Sequence, residues 1–311
     1  MKRFLRNLTL IEREGLASSI CYFSFLTFHL ISIKYLIVMK KIGYLTFLLN
    51  IGIVIALIWT YRLFMSLKKI NQNNILLINL MSNGGIFAFL TFAGTIFSLY
   101  WISINNLILI FRLYPFLIII NSYISKGYQI PQYIIYSLIL NVTCIVFILL
   151  PTLNEQGPGI FIGLLSIFSK VISTKYWKGK DSNGIKIDVM MLSIALYSVG
   201  IGYYIILTLN YNVEYLGKFG WFLTILNGFS IYYTRIFIIQ VVNKIINIDK
   251  IIIINGVCLI SLYFIDIFFF NKTFHIVDLT LLIIMLDSLY YIYRLYKKKS
   301  EMDKSLNNLL E

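Results

Sequence analysis

The sequence predicts an all-α membrane protein whose ten transmembrane helices form two inverted five-helix repeats. Three observations lead to this prediction: long apolar runs, an unequal distribution of Lys and Arg over alternate loops, and two local sequence matches at similar offsets. Of the 311 residues, 59% are hydrophobic and 13% are charged, whereas roughly a quarter of the residues in a soluble domain are charged. Water is therefore not the main solvent of this chain.

The apolar runs are each about 17 to 24 residues long, which suits a hydrocarbon layer of ~30 Å. The run Ile42–Tyr61 is apolar on every face, whereas a β-barrel strand would alternate apolar and polar residues. Only Ser98 and its neighbours mark the turn between the third and fourth runs. The predicted spans are Gly15–Ile33, Gly43–Tyr61, Ile75–Phe97, Leu99–Ile120, Tyr133–Leu150, Gly157–Ser173, Ile187–Leu209, Phe219–Val242, Ile251–Phe270 and Phe274–Tyr293.

The formal charge of +14 predicts topology rather than a nucleic-acid partner, because the basic residues lie at the ends of apolar runs and form no continuous stripe. With the N-terminus in the cytoplasm, twenty of the 27 Lys and Arg residues fall on the cytoplasmic side. Arg112 and Arg235 lie inside the membrane. The five on the opposite side are Lys34, Lys40, Lys41, Lys218 and Lys272. We therefore expect both termini, residues 1–14 and 294–311, in the cytoplasm.

Two local matches predict an internal repeat. The segment Ile31–Tyr35 (ISIKY) resembles Ile172–Tyr176 (ISTKY), and Ser125–Ile130 resembles Asn271–Ile276, at offsets of 141 and 146 residues. Helix ends rich in Ile, Ser, Lys and Tyr can match by chance, but two matches with similar offsets favour a duplication of residues 15–150 as residues 157–293. Each repeat holds five spans, and because five is odd, the second repeat is inverted in the membrane.

The fourth, fifth and sixth spans carry a family resemblance. Leu113–Leu117 places a proline inside the fourth span, Ile124–Tyr128 gives a short polar turn, and Ile134–Pro151 supplies a closing helix. Gly157–Ser166 then opens the second repeat. In this pattern the chain resembles the EamA-like group of the drug/metabolite transporter superfamily.

The resemblance implies a transporter with a central cavity between the halves, lined largely by spans one, three, four, six, eight and nine. There is a departure from the family pattern. Many members carry a glutamate in the turns before the fifth and tenth spans, where this chain has Lys126–Gly127 and Lys272–Thr273. The resemblance therefore gives no ground for assuming a typical subgroup.

Polar residues inside apolar runs are the candidates for substrate contact, because a charge at the bilayer centre costs at least ~2.5 kcal/mol unless it is paired or wetted. For Arg112, either it binds an anionic group of a substrate or its side chain snorkels to the headgroups. For Asp266, either it couples transport to a proton or cation or it is a surface residue. The candidate substrate-binding residues are Asn83, Asn105, Arg112, Tyr114, Asn227, Tyr232 and Arg235.

The sequence contains no catalytic triad, phosphate loop or metal-ligand spacing, so we expect no enzyme activity, no cofactor and no metal. A lipid-modifying enzyme would need acidic or histidine residues clustered at one membrane face, and the 13 acids are scattered. Two hypotheses remain open. The first is a secondary transporter of a small, anionic or other, organic metabolite; the second is a non-catalytic accessory subunit of a membrane complex. The expected partners are membrane lipid and a small-molecule substrate.

Overall fold

The computed structural model describes residues 10–67, 83–114, 132–177, 185–244, 261–270 and 275–285, together with residues 117, 120, 121, 124 and 287. These residues form helices and turns with no strand among them, which confirms the all-α fold class. Within the described residues, four segments are long and apolar enough to cross a membrane. They are Ile20–Met39, Tyr44–Tyr61, Leu153–Ser173 and Asp188–Leu209.

The described helices are numbered in chain order. They are α1 (Leu10–Lys34), continued by a π-helical turn over Tyr35–Met39, α2 (Tyr44–Leu67), α3 (Gly85–Trp101), α4 (Ile104–Phe111), α5 (Gln132–Leu149), α6 (Leu153–Trp177), α7 (Ile185–Leu209) and α8 (Gly217–Lys244), followed by α9 (Ser261–Phe270) and α10 (Ile276–Met285). Every predicted span thus contains helical residues. That all ten cross the membrane stays a prediction.

Apolar side chains on the helix surfaces agree with a lipid environment. Leu57, Phe147 and Phe161 are 71%, 61% and 62% exposed, although large exposed apolar surfaces are rare on soluble monomers. These side chains lie on three separate helices, α2, α5 and α6. Several helices are therefore long and apolar enough to span a membrane, and their surfaces carry the apolar side chains that an integral membrane protein exposes to lipid.

The turn between the third and fourth helices lies later than the sequence predicts. Ser98 is inside α3, where its hydroxyl donates to the carbonyl of Gly159 over 2.7 Å. The chain turns at Ile102 and Ser103, and the Ser103 side chain caps α4 by accepting from the Asn106 N–H. A serine at the N-cap satisfies an amide that the helix itself leaves unpaired. Ser98 and Ser103, five residues apart, thus have different structural roles. The sequence alone does not distinguish these roles.

The chain divides into two compact units. The first unit contains Met1–Phe23, Pro115–Thr152 and Phe237–Glu311, and the second contains Ser24–Tyr114 and Leu153–Ile236. In the first unit the Tyr263 hydroxyl donates to the His275 carbonyl and accepts from the His275 N–H, both over 3.0 Å. That hydroxyl holds the start of α10 to α9.

In the second unit, the most extensive helix contacts join α2 to α7 and α3 to α6. Both pairs meet through glycine and serine. A Cβ atom added to Gly52 would lie 2.7 Å from the Cβ of Ser198, and one added to Gly94 would lie 3.0 Å from the Cβ of Ser166. Small residues at these points allow the helix backbones to approach closely, as is usual between membrane helices.

The order of these contacts gives the helix directions. Gly52 faces Ser198 and Gly202 faces Leu49, so α2 and α7 run antiparallel. In α3 and α6, Gly159 approaches Trp101 and Gly94 approaches Ser166, which is again antiparallel.

Other helix pairs in this unit meet through larger side chains. Phe25 stacks on Tyr233 with 5.1 Å between ring centroids, and Tyr35 meets Phe219 at 6.3 Å, so α1 and α8 are antiparallel. Helices α2 and α8 are parallel, with Gly228 on Val54 and Tyr232 on Trp59. Helices α3 and α7 are also parallel, with Gly85 on Ser193 and Phe89 on Tyr197.

Candidate functional site

A buried polar pair joins α1 to α8 near the middle of the second unit. The ring of His29 lies at the centre of the apolar segment Ile20–Met39, and its Nδ1 atom contacts the side-chain oxygen of Asn227. Because an amide oxygen can only accept, Nδ1 carries the proton in this arrangement. His29 is 8% exposed and Asn227 is fully buried. The ring of Phe92, on α3, stacks on His29 with a centroid separation of 6.3 Å.

Two buried hydrogen-bond donors, one in this pair and one on α2, are not satisfied by the described part of the chain. They are the amide nitrogen of Asn227 and the indole N–H of Trp59, and both atoms are buried. Leaving a buried polar group without a partner costs about 1–3 kcal/mol. Such donors are retained in helical membrane proteins where a water or a solute supplies the acceptor, so this arrangement can bind a group that accepts hydrogen bonds.

Arg112 lies where the fourth helix breaks. Helix α4 ends at Phe111, and the Arg112 N–H donates to the carbonyls of Ile108 and Leu109, both over 3.0 Å, in a tightened last turn. The break lies just before Pro115, whose missing N–H could not donate to the Phe111 carbonyl in a continuous helix. The Arg112 side chain is 6% exposed. Its position after the C-terminus of α4 favours a positive charge, because the helix dipole is negative at that end.

Tyr114 and Lys170 meet beside this break. The Lys170 ammonium, on α6, lies 4.5 Å from the centroid of the Tyr114 ring and 5.3 Å from that of Phe111. Both distances are within the range of a cation–π interaction. Arg112 and Tyr114 therefore lie within two residues of each other, and a lysine from the second predicted repeat contacts Tyr114.

The remaining sequence candidates do not form one cluster. Asn105 is fully buried at the start of α4 and Asn83 is exposed. Tyr232 packs edge-to-face on Trp59, with 5.2 Å between centroids. Arg235 belongs to α8, but its side chain lies outside the described residues. Asp266 belongs to the other unit and is fully buried, so the surface interpretation of this residue is wrong.

Lys34 also differs from its predicted place in a non-cytoplasmic loop. Its side chain is 8% exposed, and its ammonium donates to the carbonyls of Leu99 over 2.8 Å and of Ile102 over 2.6 Å. These carbonyls belong to the C-terminal end of α3, where a cation satisfies backbone acceptors that have no partner within the helix. Lys34 thus fastens α1 to the end of α3.

The loop between α7 and α8 closes over the start of α2 at the same end of the unit. The Gly43 N–H donates to the Glu214 carboxylate, and the Glu214 N–H donates to the Thr46 hydroxyl over 3.4 Å. Burial raises the pKa of the Tyr211 hydroxyl, the charge of Glu214 raises it further, and a hydrogen bond with Thr46 lowers it. Tyr211 is therefore neutral at physiological pH.

Comparison with known proteins gives no relative for this chain. No protein-family model, curated protein or solved structure matches it. The candidate site consequently rests on geometry alone. Among the described residues, no group of three or more His, Cys, Asp or Glu side chains could hold a metal ion.

Sequence reasoning missed three of the buried polar residues, His29, Trp59 and Lys34. In the sequence His29 has no neighbouring nucleophile or metal-spaced partner, and tryptophans near span ends usually form interfacial belts, so the pattern favours neither residue as a site. A useful signal was present for His29, since it lies nine residues into a 20-residue apolar segment. A polar ring at that depth requires a partner.

Proposed function

We propose that this chain is a secondary transporter that moves a small organic solute by alternating access, with two inverted five-helix repeats around the His29–Asn227 pair. In such transporters the solute binds near the bilayer midplane, and one repeat rocks against the other. The EamA-like drug/metabolite transporter resemblance belongs to this proposal. So do the ten spans and the cytoplasmic termini.

The observation that carries the proposal is an exchange pattern in the helix packing. If α1, α2 and α3 correspond to α6, α7 and α8, each contact between the halves should have a counterpart with the roles exchanged. The antiparallel α1–α8 contact has its counterpart in the antiparallel α3–α6 contact. The parallel α2–α8 contact has its counterpart in the parallel α3–α7 contact.

The α2–α7 contact is its own counterpart, as a pair on the symmetry axis must be. The two helices cross where Gly52 meets Ser198, 146 residues later in the chain. This separation equals the larger of the two offsets between the sequence matches. Antiparallel packing of α2 and α7 is the orientation that inverted repeats require.

The buried pair supports a binding role for the interior. His29 and Asn227 come from α1 and α8, one from each half, and the Asn227 amide nitrogen has no hydrogen-bond partner among the described residues. A site built from both halves can change shape when the halves move relative to one another. No nucleotide-binding motif is present in the sequence, so an ion gradient or exchange supplies the energy.

A screen of purified protein in proteoliposomes tests the proposal. Amino acids, nucleotides, sugar phosphates and S-adenosylmethionine are assayed for thermal stabilisation of the protein and then for counterflow. We expect one class to do both and Asn227→Leu to abolish the counterflow, while the exposed-site control Lys41→Gln leaves it unchanged. If Arg112→Gln abolishes the counterflow of anionic compounds alone, the anionic group is assigned to Arg112. Absence of counterflow for all classes, with a stoichiometric protein partner co-purifying, would contradict transport and favour the accessory-subunit hypothesis.

A further inference from the structure

Two aromatic contacts lie on opposite sides of the His29–Asn227 pair. Tyr35 is six residues after His29 on α1 and its continuation, about 9 Å further along a helix, and it contacts Phe219 with 6.3 Å between centroids. Phe87 is five residues before Phe92 on α3, about 7.5 Å in the other direction. It stacks on Tyr176 at 6.5 Å.

The opposite displacement follows from the helix directions. Helix α1 is antiparallel to α8, α8 is parallel to α2, and α2 is antiparallel to α7, which is parallel to α3. Helices α1 and α3 therefore run the same way. A step forward from His29 and a step backward from Phe92 lead to opposite ends of the unit.

The two contacts are built from repeated residues. Tyr35 and Tyr176 are the last residues of the matched segments ISIKY and ISTKY. Each tyrosine meets a phenylalanine from the other half, Phe219 on α8 and Phe87 on α3, and the pairs have nearly equal ring separations. The matched segments thus place a Tyr–Phe contact on each side of one polar pair, edge-to-face for Tyr35–Phe219 and stacked for Tyr176–Phe87.

We infer that Tyr35–Phe219 and Tyr176–Phe87 are the two gates of the transporter, one on each side of the binding pair. This inference rests on the proposed function. Both contacts are formed at once in the structure, which in this inference is the state with both gates closed. Opening either end requires α1 to part from α8 or α6 to part from α3, and each movement breaks one of the two contacts.

Lys34 belongs to the first gate as a positioning residue. It precedes Tyr35 and fixes this end of α1 to the carbonyls of Leu99 and Ile102. Parting α1 from α8 at Tyr35 therefore occurs against a helix end that is held to α3. The gate opens by movement of α8 and leaves the α1–α3 connection in place.

Site-directed labelling tests the gates without any knowledge of the solute. In a background with Cys21, Cys144 and Cys258 replaced by Ser, the buried Ser230→Cys reports access to the interior, since Ser230 lies one turn after Asn227 and is 3% exposed. A membrane-impermeant maleimide is applied to sealed right-side-out and inside-out vesicles. Tyr35→Ala and Tyr176→Ala are compared with the unaltered gates.

We expect opposite shifts from the two variants. An aromatic pair of this kind biases an equilibrium by roughly 2- to 10-fold. Tyr35→Ala should raise the labelling rate by that factor from one side, and Tyr176→Ala should raise it from the other. Phe219→Ala and Phe87→Ala should reproduce their partners' results, and the conservative Tyr35→Phe should keep the gate closed.

Tyr44→Ala is the matched control. Tyr44 makes an edge-to-face contact with Phe97, 4.6 Å between centroids, but both residues belong to the first predicted repeat. It should change labelling from neither side. Equal changes from both sides, or a shift with Tyr44→Ala as large as with Tyr35→Ala, would overturn the gates. If the two variants shift labelling in opposite directions but no tested solute is transported, the gates are retained. Only the transport of the tested solutes is then rejected.

Discussion

Two interfaces that the repeat relates to each other, α3–α6 and α1–α8, are built from different side chains. The α3–α6 interface is lined by small residues, with Gly94 on Ser166 and Gly163 on Ser98. The α1–α8 interface is lined by rings, with Phe25 on Tyr233 and the His29–Asn227 pair in the middle. The two interfaces share the antiparallel direction but differ in closeness, since α3–α6 is much the more extensive of the two.

The difference assigns different roles to the two interfaces. Small residues bring backbones close and permit hydrogen bonds from hydroxyls to the neighbouring backbone, such as that from Ser166 to the Thr91 carbonyl over 2.7 Å. Rings hold the helices further apart and leave buried donors of Asn227 without a partner among the described residues. We therefore expect α3–α6 to be the tighter interface, which parts only at its Phe87–Tyr176 end, and α1–α8 to supply the adaptable, solute-binding interface.

The largest expected effect is on the close interface. A Cβ atom at Gly159 would lie 2.5 Å from the Cβ of Trp101, whereas one at Gly157 meets nothing within 4 Å. Gly159→Leu should destabilise the protein by about 3 kcal/mol through overpacking. Gly157→Leu, two residues away on the same helix, should change stability by less than about 0.5 kcal/mol. Thermal unfolding in detergent measures both, and equal stabilities of the two variants would contradict the close packing of α6 on α3 at Gly159.

A smaller loss is expected at the junction of α1 with α3. Lys34→Met removes an ammonium that donates to two carbonyls, and hydrogen bonds to charged groups contribute about 1.5–3 kcal/mol. We expect a loss of about 2 kcal/mol in the same unfolding assay. Lys41→Met provides the control, because Lys41 is exposed. If the control lost as much stability, the buried position of Lys34 would be refuted.

The smallest effect on stability is expected at the binding pair. Asn227→Leu removes the interhelical hydrogen bond to His29, and such bonds contribute on average ~0.6 kcal/mol in membrane helices. Stability should therefore fall by about 1 kcal/mol or less while solute binding is lost. The separation of stability from binding is the informative result. A loss of several kcal/mol with binding unchanged would make Asn227 a structural residue and move the solute away from α1–α8.

The sequence predicted helix positions well because apolar runs of this length have few alternatives in a bilayer. It misplaced the α3–α4 turn, because Ser98 and Ser103 look alike until the Gly159 carbonyl and the Asn106 N–H provide their partners. It placed Lys34 in a loop, since a lysine at the end of an apolar run is usually exposed. The acceptors that bury it come from α3, 65 residues later.

For the candidate site, the sequence identified Asn227 but not its partner. The pairing with His29 spans 198 residues, and no local pattern indicates which two polar residues will meet across that separation. Arg112 was identified from its charge, and its position at the end of α4 follows from the break before Pro115. Long-range pairing is therefore what the structure adds to the site.

The most direct test of the account is the orientation of the two predicted repeats. Single cysteines are introduced at Lys41, between α1 and α2, and at Ser182, 141 residues later between α6 and α7. Labelling with an impermeant maleimide in sealed vesicles of known orientation reports the side of each. Inverted repeats predict that Lys41→Cys and Ser182→Cys are labelled from opposite sides of the membrane. Labelling of both from the same side would contradict the inversion and the transport mechanism built on it.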